Sequence, residues 1–187
     1  MAYVFGYITA DGNIAWNPAK CYNSLTITAC AKDKQHIERI RILLRSTKPL
    51  LFGKSTNSYR LIVVNKKICQ DLMKLGVWPQ KSYSVKFPKI PNEYLSHFVR
   101  GVIDGDGSIR YFKRPRSPYF EIMIASGSKD FIWGLRQAIK SAINTDSRIS
   151  RSGNCFLLRY SCKRGEYLAD WVYRDATIFL ERKHNKH

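Results

Sequence analysis

Asp11 and Asp106 each occupy the eighth place of a nine-residue segment that occurs twice in the chain. One copy is Val4-Phe5-Gly6-Tyr7-Ile8-Thr9-Ala10-Asp11-Gly12. The other, 95 residues further on, is Val99-Arg100-Gly101-Val102-Ile103-Asp104-Gly105-Asp106-Gly107. Read as helices, both put small residues four apart on one face, Gly6 with Ala10 and Gly101 with Gly105. Such faces let two backbones approach, so the two helices are expected to pack together with their C-terminal ends side by side. Gly12 and Gly107 then fall where helices commonly end in a left-handed residue. Two carboxylates held close repel unless cations lie between them. An all-oxygen site of this kind suits Mg²⁺, which keeps waters and accepts phosphate oxygens. A divalent ion so placed supports hydrolysis of a phosphodiester.

The elements that must position the pair repeat as well. An alternating stretch follows each segment, Ser24-Leu25-Thr26-Ile27-Thr28 and Tyr119-Phe120-Glu121-Ile122-Met123-Ile124, which argues for half-buried strands. A helix is expected over Asp33 to Leu44, with Ile37, Ile40 and Leu44 on one face. Its counterpart runs from Ser128 to Ile143, with Ile132, Leu135, Ile139 and Ile143 on one face. Asp33 and Ser128 are the N-cap candidates. Two short strands and a closing helix, at about 66–75 and 164–174, complete each copy. The second of these strands is Tyr59 to Val64 in one copy and Phe156 to Ser161 in the other. The fold class is therefore α+β, two pseudo-symmetric αββαββα repeats. Residues 1–76 form the first repeat and 92–187 the second. Residues 77–91, with Pro79, Pro88 and Pro91, read as the linker.

Composition limits the partners. The 187 residues carry a formal charge of +18, and 44% are hydrophobic, enough for a packed core. Residues 1–91 hold 15 Lys and Arg against 4 Asp and Glu; residues 92–187 hold 17 against 10, so both halves should face one polyanion. An anionic membrane is disfavoured because the charge is not gathered on one amphipathic helix. No segment reads as a membrane span or signal peptide. The five cysteines, Cys21, Cys30, Cys69, Cys155 and Cys162, form no CxxC pair. They read as buried small hydrophobes in a reducing, intracellular compartment.

The paired segments, followed by the same order of elements over essentially the whole chain, resemble the LAGLIDADG homing endonucleases of the monomeric, double-motif type. Gly76 to Ser82 and Ala176 to Lys183 extend the likeness. The resemblance implies a saddle, with the motif helices at its centre and two antiparallel sheets in the DNA major groove. It implies a site-specific double-strand DNA endonuclease cutting a long asymmetric target to leave 3′ overhangs. Mg²⁺ is the implied cofactor, with Mn²⁺ or Ca²⁺ able to occupy the same sites. Asp11 and Asp106 are the implied metal ligands and catalytic residues, and Ala10 and Gly105 before them are counted with the metal site. Lys81 and Lys183 match the basic residue near the end of each repeat, beside the scissile phosphates. The sixth motif position, Thr9 and Asp104, reads as structural. The glutamine that some relatives carry before the second helix is replaced here by Ala31 and Gly127. Candidate DNA contacts are Asn13, Asn17, Thr26, Thr28, Asn57 and Arg60, then Arg110, Arg114, Arg116, Glu121, Arg148, Arg151 and Arg159. A monomer bound to double-stranded DNA is expected. A DNA-binding regulator, or a maturase acting on intron RNA, is the alternative use of the same scaffold.

Overall fold

Alternation of apolar and polar residues turns into two four-stranded antiparallel sheets. The computed structural model describes residues 1–17, 22–113 and 119–186. The first repeat runs α1 (Ala2–Asp11), β1 (Gly12–Asn17), β2 (Tyr22–Cys30), α2 (Lys34–Leu43), β3 (Leu51–Gly53), β4 (Ser58–Val64) and α3 (Lys66–Lys74). The second runs α4 (Asn92–Asp106), β5 (Gly107–Phe112), β6 (Tyr119–Ser126), α5 (Lys129–Ile143), β7 (Ile149–Ser152), β8 (Cys155–Ser161) and α6 (Lys163–Tyr173). A short helix, α7 (Glu181–His184), comes after them. The strand orders are β1-β2-β4-β3 and β5-β6-β8-β7, so each sheet repeats the other's topology. Among the described residues no helix is long and apolar enough to cross a membrane.

Each sheet buries one face under its own helices. Leu25, Ile27, Leu61 and Val63 meet Ile37, Ile40 and Leu72 in one core. Ile122, Ile124, Leu158 and Tyr160 meet Leu135, Ile139 and Leu168 in the other. At roughly 1.5–3 kcal/mol for each fully buried side chain, these two clusters are the main favourable term in folding.

The motif helices join the halves. A Cβ on Gly6 would fall on the Phe98 carbonyl oxygen, and one on Gly101 on that of Tyr3. A Cβ on Gly105 would stand 2.5 Å from the Ala10 methyl. The small residues are therefore what let α1 and α4 touch backbone to backbone. Arg100, 2% exposed, ties α4 to α6 and to the segment beyond it: it donates to the Val172 and Ile178 carbonyls, at 2.6 and 2.9 Å.

Four local expectations are corrected. Gly12 (φ −75°, ψ 143°) and Gly107 (φ −86°, ψ 160°) are extended, not left-handed. Each helix passes straight into a strand, and glycine is needed because a Cβ would press on the Ile8 or Ile103 backbone. Asp33 precedes α2 without capping it, because its carboxylate pairs with Arg182 instead. Ser128 does cap α5, accepting from the Phe131 amide. Linker residues 81–83 form a 3-10 turn that no apolar period announces, entered through Gln80 at φ 56°. Of the described cysteines only Cys69 is buried; Cys30 and Cys162 are exposed and Cys155 lies between. Cys21 lies outside the described residues.

Candidate metal and nucleic-acid site

Contact between α1 and α4 brings their C-terminal ends together, and with them Asp11 and Asp106. A Cβ on Gly105 would lie 3.5 Å from Asp11 Oδ2. Both carboxylates are open to solvent on one side and crowded by protein on the other. Crowding raises Asp106 to about 6, and the neighbouring Asp11 charge adds to the rise; Lys81 and Lys183 oppose it. Asp11 is also raised, first by burial, with Lys183 and Lys81 pulling it back. Burial is the first cause at both carboxyls, and like-charge repulsion adds to it at Asp106. Among the described residues no group of three or more His, Cys, Asp or Glu side chains gathers anywhere. The donor set here is two carboxylates and nearby carbonyls. That set fits Mg²⁺, which takes few protein ligands and keeps the rest of its shell for water and phosphate.

Lys81 and Lys183 occupy matching places. Lys81, 8% exposed, donates to the carbonyls of Ala10 (3.2 Å) and Gly12 (2.6 Å). Lys183, 3% exposed, donates to those of Ile103 (2.8 Å), Asp104 (2.7 Å) and Gly105 (3.3 Å). Each ammonium therefore satisfies the open end of one motif helix, where the dipole favours positive charge. Burial pulls Lys183 down to about 8, against the attraction of Asp104, Asp11 and Asp106; Lys81 is lowered for the same first reason. Lys183 has all three protons committed to carbonyls. Ala10 and Gly105, counted with the metal site from the sequence, offer their carbonyls to the lysines here.

Asp104 is structural, as its motif position suggests. Its carboxylate accepts from Tyr3 Oη (2.8 Å), Tyr173 Oη (3.0 Å) and the Leu180 amide (2.8 Å). Tyr3 Oη also lies 2.9 Å from His36 Nε2, and burial holds His36 down to about 4, hence neutral. This network crosses both repeats. Sequence reading missed Tyr3, His36 and Tyr173, because a buried hydroxyl or imidazole carries no spacing signal. Thr9 Oγ1 merely returns to the Phe5 carbonyl. Arg182 was also missed, although it adjoins Lys183; it grips both oxygens of Asp33, at 2.9 and 3.0 Å. The absent glutamine has a reason at one position, since a Cβ on Gly127 would stand 2.7 Å from the Ser82 carbonyl.

The sheet faces turned away from the helices carry most of the remaining candidates. Asn13 pairs with Thr26, and Thr28 with Arg60, on the first sheet. Arg110 pairs with Glu121, and Met123 with Arg159, on the second. Arg148 lies just before β7, in a basic cleft shared with Arg159, Lys163 and Arg164; the last two were not foreseen. Asn57 sits in the β3–β4 turn at φ 43°. Arg151 departs from expectation: it pairs with Phe156, whose ring it covers, and Phe156 packs on the helix side of the sheet. Asn17 closes β1, while Arg114 and Arg116 lie outside the described residues.

Residues 93–176 match the LAGLIDADG-like domain. Among curated proteins no sequence matches the chain. Three solved structures are similar to it at low identity. The I-AabMI LAGLIDADG meganuclease bound to uncleaved DNA has a TM-score of 0.70 at 13% identity, over 98% of this chain and 86% of that one. The I-LtrWI LAGLIDADG homing endonuclease bound to target DNA has a TM-score of 0.67 at 12% identity, with the same coverage. A variant of I-DmoI in complex with its target DNA in the presence of magnesium has a TM-score of 0.65 at 15% identity, over 94% and 95%. The α+β, two-repeat LAGLIDADG saddle is thus the fold of this chain.

Proposed function

We propose that this chain, whose residues 93–176 are a LAGLIDADG-like domain and whose whole length has the two-repeat fold, is a site-specific DNA endonuclease. It hydrolyses both strands of a long asymmetric target with divalent metal ions and leaves 3′ overhangs. The observation that carries this reading is the meeting of two raised carboxyls at adjacent helix ends, in a chain of charge +18.

Asp11 and Asp106 hold Mg²⁺, for which Mn²⁺ or Ca²⁺ can substitute. When bound, the ion supplies Lewis-acid stabilisation of the charge that develops on the reacting phosphate. Lys81 and Lys183 keep a fixed positive charge at each helix end, which offsets phosphate charge without needing to reorganise. The outward sheet faces lie in the major groove, where all four base pairs are distinguishable. One chain supplies both carboxylates, so a monomer suffices. Residues 1–76 and 92–187 each serve one half-site, with 77–91 between them. The exposed thiols of Cys30 and Cys162 suit a reducing intracellular compartment.

The test is incubation of the protein with a randomised double-stranded library in Mg²⁺ and in EDTA. Double-strand cuts with 3′ overhangs at one enriched sequence, present only with the metal, are expected. Tight binding of DNA or of a folded intron RNA, with no cut in Mg²⁺ or Mn²⁺, would overturn the reading in favour of a regulator or maturase.

A further inference from the structure

We infer that Arg159 reads a guanine in the half-site under the second repeat, that Glu121 positions it, and that the first repeat has no counterpart. The inference rests on the DNA-reading function proposed above and names the base and the residues.

The outward face of a sheet in a basic protein is an unusual place for a buried carboxylate. Glu121 is 6% exposed on that face. Tyr119 Oη donates to its Oε2 at 2.8 Å and also meets Ser161 Oγ at 3.1 Å. The same Oε2 lies 3.2 Å from Arg159 Nε, and Arg159 Nη2 reaches Met123 Sδ at 3.5 Å. Glu121 is thus fixed by its neighbours and in turn fixes Arg159, whose side chain remains 47% exposed. With Nε held against Glu121 and Nη2 touching Met123 Sδ, Nη1 makes no hydrogen bond among the described residues, and the Nη edge of the half-exposed fork keeps donors for a ligand. That edge matches the O6 and N7 acceptors of guanine. A fork held this way also fits a phosphate bidentately, but such a contact would carry no sequence information, which is what the test below separates.

The registers say where the base lies. Arg159 shares a row with Met123 and Ser108, and Ser108 is two residues past Asp106. The guanine therefore sits in the inner part of the half-site. Gly12, Ile27 and Leu61 align in one sheet as Gly107, Ile124 and Leu158 align in the other. In that frame Ile62 stands where Arg159 does, and Ser24 and Val64 replace Glu121 and Ser161. The first repeat presents methyl groups at the matching position, so the target is asymmetric there.

The test is selection of bound sites from a randomised duplex library by the full chain, with Ca²⁺ in place of Mg²⁺. Wild type, Arg159→Ala, Glu121→Gln and Tyr119→Phe are compared. Wild type should prefer guanine at one inner position of one half-site by about tenfold or more, in line with a bidentate contact. Arg159→Ala and Glu121→Gln should flatten that position alone. Tyr119→Phe, which removes only a hydroxyl, should weaken it. Unchanged preferences elsewhere report an intact scaffold. A uniform loss of affinity with Arg159→Ala, with a salt slope smaller by about one and no position flattened, would assign Arg159 to phosphate and overturn the inference. A Glu121→Gln protein that keeps the guanine would remove the positioning role. Wild type that enriches no sequence overturns the nuclease reading as well, whereas enrichment that no variant alters overturns this inference alone.

Discussion

Asp106 keeps its proton up to about pH 6 because protein crowds it and Asp11 faces it. Its folded-state value lies above that of an unfolded chain, about 3.9. The stabilisation this gives is complete below about pH 4 and is lost as pH rises through 6. At neutral pH the metal-free pair therefore works against folding. Asp106→Asn should melt higher than wild type at pH 7.5 without metal. The gain is about 1 kcal/mol once screening on the solvent side is allowed for, and it should shrink towards pH 4. Adding Mg²⁺ should raise the Tm of wild type and leave that of Asp106→Asn nearly unchanged. Protons compete with the cation at the same carboxyls, so cleavage should fall steeply as pH drops below about 6; a flat profile from 5 to 8 would contradict this. Lys183→Met should leave DNA affinity nearly intact and slow cleavage about 100-fold, measured as the single-turnover rate on a bound site. It should also cost about 1–3 kcal/mol in denaturant melts, since three carbonyls lose their donor.

At the scale of elements, the α1–α4 contact is the joint that makes the site. Gly101→Ala forces a methyl onto the Tyr3 carbonyl and within 2.7 Å of the Tyr7 amide nitrogen. Both obstacles are backbone, so the helices must part. We expect a loss of about 3 kcal/mol or more in denaturant unfolding, with cleavage abolished. Gly153→Ala is the control: nothing stands within 4 Å of its added Cβ, and only φ +55° is strained. It should cost about 1 kcal/mol and leave cleavage unchanged. The helices and strands were readable because one face of each is buried by its own repeat, which imposes period on the sequence. Ile132, Leu135, Ile139 and Ile143 carry that period through α5. What escaped reading depends on contacts between the repeats. Asp33 looks like a cap from its neighbours but answers to Arg182, 149 residues away. The lysines were found through their likeness to known motifs. That they grip helix-end carbonyls is a three-dimensional fact with no trace in spacing. Arg151 was misplaced because β7 is short and alternates too briefly to reveal its facing.

At the scale of the molecule, the excess of positive charge is shared by two sheets that turn their polar faces away from the helices. Affinity for DNA should be dominated by counterion release. For about 6–10 phosphate contacts, binding should weaken by roughly 10³–10⁵ between 50 and 200 mM salt, as measured by titration of a labelled target duplex. Weak salt dependence would mean that few of the outward arginines and lysines touch phosphate. The two halves repeat one topology but not one chemistry. Arg159 faces Ile62 across the pseudo-symmetry, and among the described residues the Arg182–Asp33 pair has no match in the first repeat. On the proposed function, that difference calls for an asymmetric target.

We propose that Asp11 and Asp106 together make the metal-dependent cleaving centre and contribute little to holding DNA. It is tested most directly on a selected target site, by measuring binding and cleavage side by side for wild type and for the chain carrying Asp11→Asn with Asp106→Asn. The double variant should bind the site at least as tightly as wild type and cut neither strand in Mg²⁺. Cleavage by the double variant at the wild-type rate would contradict the claim.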